Sequence, residues 1–266
     1  MTPLNQIANL YFKREDLNPT GSAKDRALPF QIQNLIKNNY SQAVISSTGN
    51  AAISASYFCQ QANISLTVFV SPKINPHKLS LIKGHIIQSS QAISDAIKFS
   101  KNNHAYLLRQ STDPSAQLGY AQIAEELLLQ LPQITSIFIP VGSGTTLCAI
   151  AKKLPENVKI FAAQAASNPT IASHFHSDIP LEKDSLTDAL SVKYLPLKNE
   201  IISAIEKHHG TALAIPKKKV SEYLESVSSF NSSPESALAL AAYYQVKNSD
   251  FDPGEYPVIL VTGTQR

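Results

Sequence analysis

Ile134-Thr-Ser-Ile-Phe-Ile-Pro140, followed by Val141-Gly-Ser-Gly-Thr-Thr146, is the stretch that decides how this chain is built. Seven residues rich in β-branched and aromatic side chains predict a buried strand over Ile134–Pro140. Two glycines then mark a tight turn, and apolar spacing predicts a helix over Thr146–Leu154. A strand handing over to a helix through a short loop is half of a βαβ unit. Outward from it the same order recurs. Strands are predicted at Leu10–Lys13, Ala43–Ser46, Leu66–Val70, Ala105–Leu108, Lys159–Gln164, Thr211–Ile215 and Val258–Val261. Helices are predicted at Ala23–Asn38, Ala51–Asn63, Pro76–Lys83, Gln91–Lys101, Ala116–Leu131, Leu197–His208, Val220–Ser228 and Glu235–Val246. The alternation predicts an α/β fold with mostly parallel, twisted sheets.

Composition narrows the classes. The chain has nine glycines in 266 residues, about half the usual share of roughly 7%. Collagen-like and glycine-rich disordered chains are excluded. Apolar residues make up 43% and charged residues 16%, which supports a real core and excludes intrinsic disorder. The net charge is 23 − 20 = +3. Lys217, Lys218 and Lys219 read as a solvated turn, so no nucleic-acid partner is expected. Cys59 and Cys148 are too few for a disulfide framework or a cysteine zinc site, and read as packing groups. The histidines, with His208 beside His209 and His174 two before His176, lack a second cluster at zinc-ligand spacing, so no metal is expected. MTPLNQIANL does not read as a signal peptide, and no apolar run reaches the length of a membrane span. A soluble cytoplasmic protein without a membrane partner is expected.

Parallel sheets bind ligands where strands lead into helices. Four such junctions hold five of the nine glycines. In NPTGSAKDR (18–26), Asn18–Gly21 reads as a turn and Ser22 with Asp25 as an approximate capping box. Lys24 then falls in the first helical turn, where the electropositive helix end favours a neutral amine suited to Schiff-base chemistry. The plainer reading is a solvent-facing lysine followed by an Asp25/Arg26 surface pair. In SSTGN (46–50), the loop reads either as a carboxylate-binding junction or as an ordinary helix cap. PVGSGTT (140–146) reads as a phosphate cradle or a tight βα turn. It lacks the lysine ending of a P-loop and the third glycine of a dinucleotide site. In VTGTQR (261–266), Thr262 reads as a partner for a heterocycle nitrogen, or the segment as a frayed end.

Taken in order, these junctions resemble the fold-type II pyridoxal-phosphate enzymes, the tryptophan synthase β-like group. The resemblance is strongest to threonine synthases and serine/threonine dehydratases. It rests on TPL (2–4), KRED (13–16), NPTGSAKDR (18–26), FAAQAA (161–166) and SPESALALAAY (233–243), and runs essentially end to end. It implies two α/β domains with pyridoxal 5'-phosphate in the cleft between them. The large domain would comprise residues 1–35 and 113–266, and the small one residues 36–112.

The resemblance also implies roles. Lys24 matches the lysine that carries the cofactor and moves the substrate's protons. Asn50 matches the asparagine that bonds the cofactor's phenolic oxygen. Ser47, Thr48, Gly49 and Asn50 match the substrate-binding loop. Gly142, Ser143, Gly144, Thr145 and Thr146 match the phosphate loop, and Thr262 the hydroxyl that faces the pyridine nitrogen. A hydroxyl there makes the ring a weaker electron sink than an aspartate would, which suits elimination and replacement. The implied activity is a lyase acting on a small amino acid at the β- or γ-carbon, with a homodimer left open.

Four departures from the family stand beside this. Ala23 replaces a phenylalanine and Ser233 a glutamate. Ala116 stands where an arginine holds the phosphate of O-phosphohomoserine, so weaker binding of that phosphate is expected. Thr145 stands where a second consecutive glycine lies. A β-branched residue resists positive φ, so a shifted cradle is expected. The chain begins directly at Thr2-Pro3-Leu4, so a preceding segment that adds to the dimer interface and lid is expected to be missing. These departures keep open a degenerate relative that binds the cofactor and serves a regulatory or partner-binding role.

Overall fold

The computed structural model describes residues 1–187, 190 and 195–266. In chain order its elements are β1 (Leu4–Ile7), β2 (Leu10–Arg14), α1 (Lys24–Lys37), β3 (Gln42–Ser46), α2 (Asn50–Gln61), β4 (Ser65–Val70), α3 (Pro76–Leu81), β5 (His85–Gln88), α4 (Ala92–Asn102), β6 (Tyr106–Leu107), α5 (Pro114–Gln130), β7 (Ser136–Pro140), α6 (Thr145–Ala151), β8 (Lys159–Ala165), α7 (Ala172–Phe175), α8 (Lys198–Lys207), β9 (Thr211–Ile215), α9 (Lys217–Leu224), α10 (Pro234–Lys247) and β10 (Pro257–Val261). They form two compact units. The larger comprises Met1–Asn18 and Tyr120–Gln265, the smaller Pro19–Gly119 and Arg266.

The larger unit carries a six-stranded sheet in the order β1-β2-β10-β7-β8-β9. Only β1 runs antiparallel to its neighbour. β7, β9 and β10 are buried at every residue. Strands covered on both faces read as unbroken apolar runs, which is why they were legible. Helix α10 packs on this sheet through Ala237–Tyr243. Phe138 and Phe161 stack beneath it with centroids 4.7 Å apart. Truncating such a buried ring costs about 3–5 kcal/mol. Because β2, β10 and β7 are parallel neighbours, with Val261 beside Arg14 and Ile259 beside Phe138, their carboxyl ends emerge together.

Beside that edge, the KRED segment is a structural lock. The fully buried Lys13 Nζ lies 2.5 Å from Glu126 Oε2 and donates to Thr2 O at 2.9 Å and Gln130 Oε1 at 3.0 Å. A buried ammonium is tolerable only with such a full set of acceptors. Arg14 holds Asp16 through two bonds of 2.9 and 2.7 Å and lies 4.1 Å over the Phe230 ring.

The smaller unit carries a four-stranded parallel sheet, β5-β4-β3-β6. Its cluster on the α4 side is thin. Val44, Phe69, Ala96 and Ala105 are buried there, with Ile87, Phe99 and Leu107 partly covered. By contacts the unit begins at Pro19 and ends at Gly119, where the sequence reading put the edges at 36 and 112. The reason is local. Helix α1 packs on α2, and Gly119 is so close to α1 that a Cβ would lie 1.8 Å from the Arg26 carbonyl oxygen.

The predicted elements are present with adjusted ends. The strand expected over Ala105–Leu108 shrinks to Tyr106–Leu107. The helix expected over Val220–Ser228 begins at Lys217 and tightens into a 3-10 turn over Glu225–Phe230. β1, β5 and α7 add to the sequence reading. Among the described residues, no helix is long and apolar enough to cross a membrane, and no group of three His, Cys, Asp or Glu side chains could hold a metal.

Candidate active site

In the larger unit, the loop after β7 turns into α6 through Gly144, which adopts φ +77. A side chain is excluded there twice. The left-handed conformation disfavours any Cβ, and an added Cβ would sit 2.1 Å from Ile201 Cδ1 on α8. Thr145 is the buried first residue of α6, and its Oγ1 lies 3.1 Å from Ser143 Oγ. This corrects the strain expected at Thr145. The positive φ falls on Gly144 instead, and Thr145 has helical backbone, which a β-branched residue tolerates. Gly142, Ser143 and Thr146 are half-buried around this turn. The loop offers hydroxyls and backbone N–H groups, carries no carboxylate, and leaves α6 without a side-chain cap. That donor set fits a phosphate.

Thr262 follows β10, the strand beside β7, and is half-buried. The segment after it is stitched to the start of α10. Ser233 N donates to Gly263 O at 2.8 Å, Gln265 N donates to Asn231 O at 2.9 Å, and Ser232 bridges Thr264. Residues 262–265 therefore form a held turn rather than a frayed end. Nearby on α10, the buried Ser236 Oγ has no partner among the described residues. The larger unit thus sets the phosphate-type loop and Thr262 at the carboxyl ends of adjacent strands.

In the smaller unit, Lys24 is the half-buried first residue of α1. The expected capping box does not form. The N-cap is Ala23, without a side-chain bond. Ser22 Oγ accepts from Lys24 N, at 3.4 Å. Asp25 turns back to Thr20, accepting from its N and Oγ1 at 2.5 Å each. Asp25 and Arg26 are only 6% and 8% exposed, so the surface-pair reading also falls.

The loop after β3 is held lightly. Ser47 N donates to Phe69 O at 3.2 Å, and Gly49 N donates to Ser47 Oγ at 3.2 Å. Gly49 is the N-cap of α2, again without a side-chain cap, and a Cβ there would meet nothing within 4 Å. Thr48 is exposed, and Ser47 and Asn50 are half-buried. Ser47 and Thr48 face a cavity of about 650 Å³ that Ser46, Phe69, Ser71 and Ser89 also line. Hydroxyls and an open glycine suit a small polar ligand such as a carboxylate.

One residue in this region was missed. Arg266 Nη1 donates to Asn50 Oδ1 at 3.3 Å, and Nη2 donates to the Thr20 carbonyl. Burial pushes its guanidinium below the usual value, while the carboxylate of Asp25 opposes the shift. The only local signal was a lone arginine closing a Thr-Gly-Thr-Gln run. Burial pushes the thiols of both Cys59 and Cys148 up to about 12, which disfavours their thiolate forms.

A family model described as pyridoxal-phosphate dependent enzyme matches residues 1–263. The biosynthetic L-threonine dehydratase of Pasteurella multocida is 23% identical over 99% of this chain and 56% of its own length. The serine racemase of Bos taurus is 29% identical over 60% of this chain and 53% of its own. The chain therefore spans about half the length of these curated relatives. Among solved structures, maize serine racemase superposes with a TM-score of 0.87 at 19% identity, covering 100% of this chain and 88% of that one. At that identity the likeness concerns the fold.

Proposed function

The chain belongs to the family of pyridoxal-phosphate dependent enzymes, and from that premise we propose that it is a lyase that eliminates a β-substituent from a small hydroxy amino acid. When bound, the cofactor supplies an electron sink for the charge that develops on the substrate's α-carbon. In this reading, Lys24 Nζ attaches the cofactor and takes the α-proton. The 47–49 loop orients the substrate carboxylate. Asn50 Nδ2 donates to the cofactor's phenolic oxygen, residues 142–146 hold its phosphate, and Thr262 Oγ1 meets its ring nitrogen. A neutral hydroxyl at that nitrogen tempers the sink and favours loss of a β-hydroxyl over transamination.

The observation that carries the reading is the smaller unit's pairing of a half-buried lysine in the first turn of α1 with an open, hydroxyl-lined loop before α2. The likeness to a threonine dehydratase over 99% of the chain supports it. The test is direct. The purified protein with added cofactor should turn yellow, and borohydride should fix the label on the Lys24 peptide. L-threonine or L-serine should release ammonia and an oxo acid. A colourless protein that takes up no cofactor overturns the reading.

The likeness to serine racemase favours a second reading, in which the proton taken from one face of the α-carbon returns on the other. Chiral analysis of recovered serine separates the two. Cofactor uptake without turnover on any small amino acid would instead favour the non-catalytic relative.

A further inference from the structure

The smaller unit contains a chain of bonds that the roles above do not use. Asp25, next to Lys24, accepts from the amide and hydroxyl of Thr20. The Thr20 carbonyl accepts from Arg266 Nη2, and Arg266 Nη1 donates to Asn50 Oδ1 at 3.3 Å. Arginine has donors only, and an asparagine amide has one acceptor end and one donor end. The guanidinium therefore dictates which way the Asn50 amide faces. Oδ1 must turn toward Arg266, because a rotated amide would set donor against donor. Nδ2 is then the end presented elsewhere, and it has no partner among the described residues.

We infer that Arg266 is a positioning residue for the cofactor's phenolic oxygen, acting through Asn50. This rests on the proposed role of Asn50. An amide free to rotate would offer oxygen to that phenolic oxygen in part of its population, a contact between two acceptors. Arg266 removes that population. Its charge also polarises the amide, making Nδ2–H a better donor to the ionised phenolic oxygen. The second bond, to the Thr20 carbonyl, keeps the guanidinium registered to the turn that carries Lys24. The four-residue chain thus couples the lysine's turn to the amide that recognises the same cofactor.

The experiment uses the full chain loaded with pyridoxal 5'-phosphate. Dissociation constants and the pH titration of the bound cofactor's visible absorbance are compared for wild type, Arg266→Gln, Arg266→Lys, Asn50→Ala and the Arg266→Gln/Asn50→Ala double variant. Glutamine can bond either end of the amide, whereas lysine, like arginine, can only donate. Arg266→Gln should weaken cofactor binding about tenfold and raise the titration midpoint by about one unit. The direction is upward because the ionised phenolic oxygen loses its donor. Arg266→Lys should keep most of the wild-type behaviour. The double variant should be no worse than Asn50→Ala, since both changes remove one contact. Arg266→Ala, expected to match the glutamine variant, replaces it if Arg266→Gln melts early without cofactor. Equal losses in the lysine and glutamine variants, or losses that add to those of Asn50→Ala, would mean a plain structural tether and overturn the inference. A yellow wild type with an impaired Asn50→Ala and an unchanged Arg266→Gln would sink Arg266's role alone. A wild type that binds no cofactor would sink the proposed function as well.

Discussion

The two compact units hold their candidate loops by different means. In the larger one, the 141–146 turn is set by backbone: Gly144 takes the left-handed conformation against Ile201, at the end of a strand buried at every residue. In the smaller one, position is set by side chains: Asp25, Thr20, Arg266 and Asn50 bond in sequence, and the 46–50 loop is otherwise open. A backbone-set loop tolerates little change but leaves few groups to titrate or rotate. A side-chain-set loop is adjustable, and it is where a base and a substrate loop are useful. The smaller unit's thinner cluster under α4 fits that division, because elements with little buried surface open most easily.

The largest expected effect separates the reactive unit from the scaffold. Lys24→Ala should lower turnover by about 10^3-fold and abolish borohydride labelling. The larger unit's loop should still hold the cofactor non-covalently, so equilibrium dialysis should recover it with the protein. Unchanged turnover in Lys24→Ala would place the base elsewhere and end the division of labour.

The two glycines sharpen the contrast. Gly144→Ala forces a Cβ into positive φ and against Ile201, which should cost about 2–4 kcal/mol in denaturant unfolding. Gly49→Ala adds a methyl to open space at an ordinary φ of −143. Its stability should stay within about 0.5 kcal/mol of wild type. Its effect should fall on KM for the amino acid, because the methyl narrows the loop proposed to hold the carboxylate. Equal destabilisation by the two substitutions would erase the distinction between the loops.

What the sequence disclosed follows the same line. β7, β8, β9 and β10 were legible because doubly covered parallel strands are continuous apolar runs. β1 was not. It is a four-residue edge strand, joined to β2 by a turn whose Ala8 takes φ +52 without the glycine that usually marks such hairpins. β5 is likewise four residues and incompletely covered. Motif order put Lys24 and Asn50 at strand-to-helix junctions, where the structure also has them, whereas Thr262 ends a strand that no helix follows. The strain expected at Thr145 was misplaced by one residue, since spacing cannot say which of two neighbours takes the positive φ. The Asp25 cap failed because Thr20 engages both oxygens of the carboxylate instead. Arg266 was invisible because its partner lies 216 positions away, and no local pattern encodes such a contact.

The smallest expected effect concerns the two thiols, one in each unit. Cys59 on α2 and Cys148 on α6 are both buried, and burial pushes each up to about 12 from an unfolded value of 9.0. A thiol whose folded value is raised favours the folded state fully below pH 9. That contribution is lost progressively as pH climbs from 9 toward 12, where the unfolded thiolate is stabilised first. Alkaline unfolding midpoints should therefore drop across that window, and less so in Cys59→Ala/Cys148→Ala. At pH 8 neither folded thiol should react directly, so labelling must pass through local opening. Cys59 borders a cavity of about 480 Å³ in the smaller unit, whereas Cys148 lies on the helix packed against α8 in the larger. Cys59 should then label first, about tenfold faster if its unit opens at about 1.4 kcal/mol less cost. Mass-spectrometric mapping of partial labelling reads the order, and a Cys148 that labels first would make the larger unit the softer one.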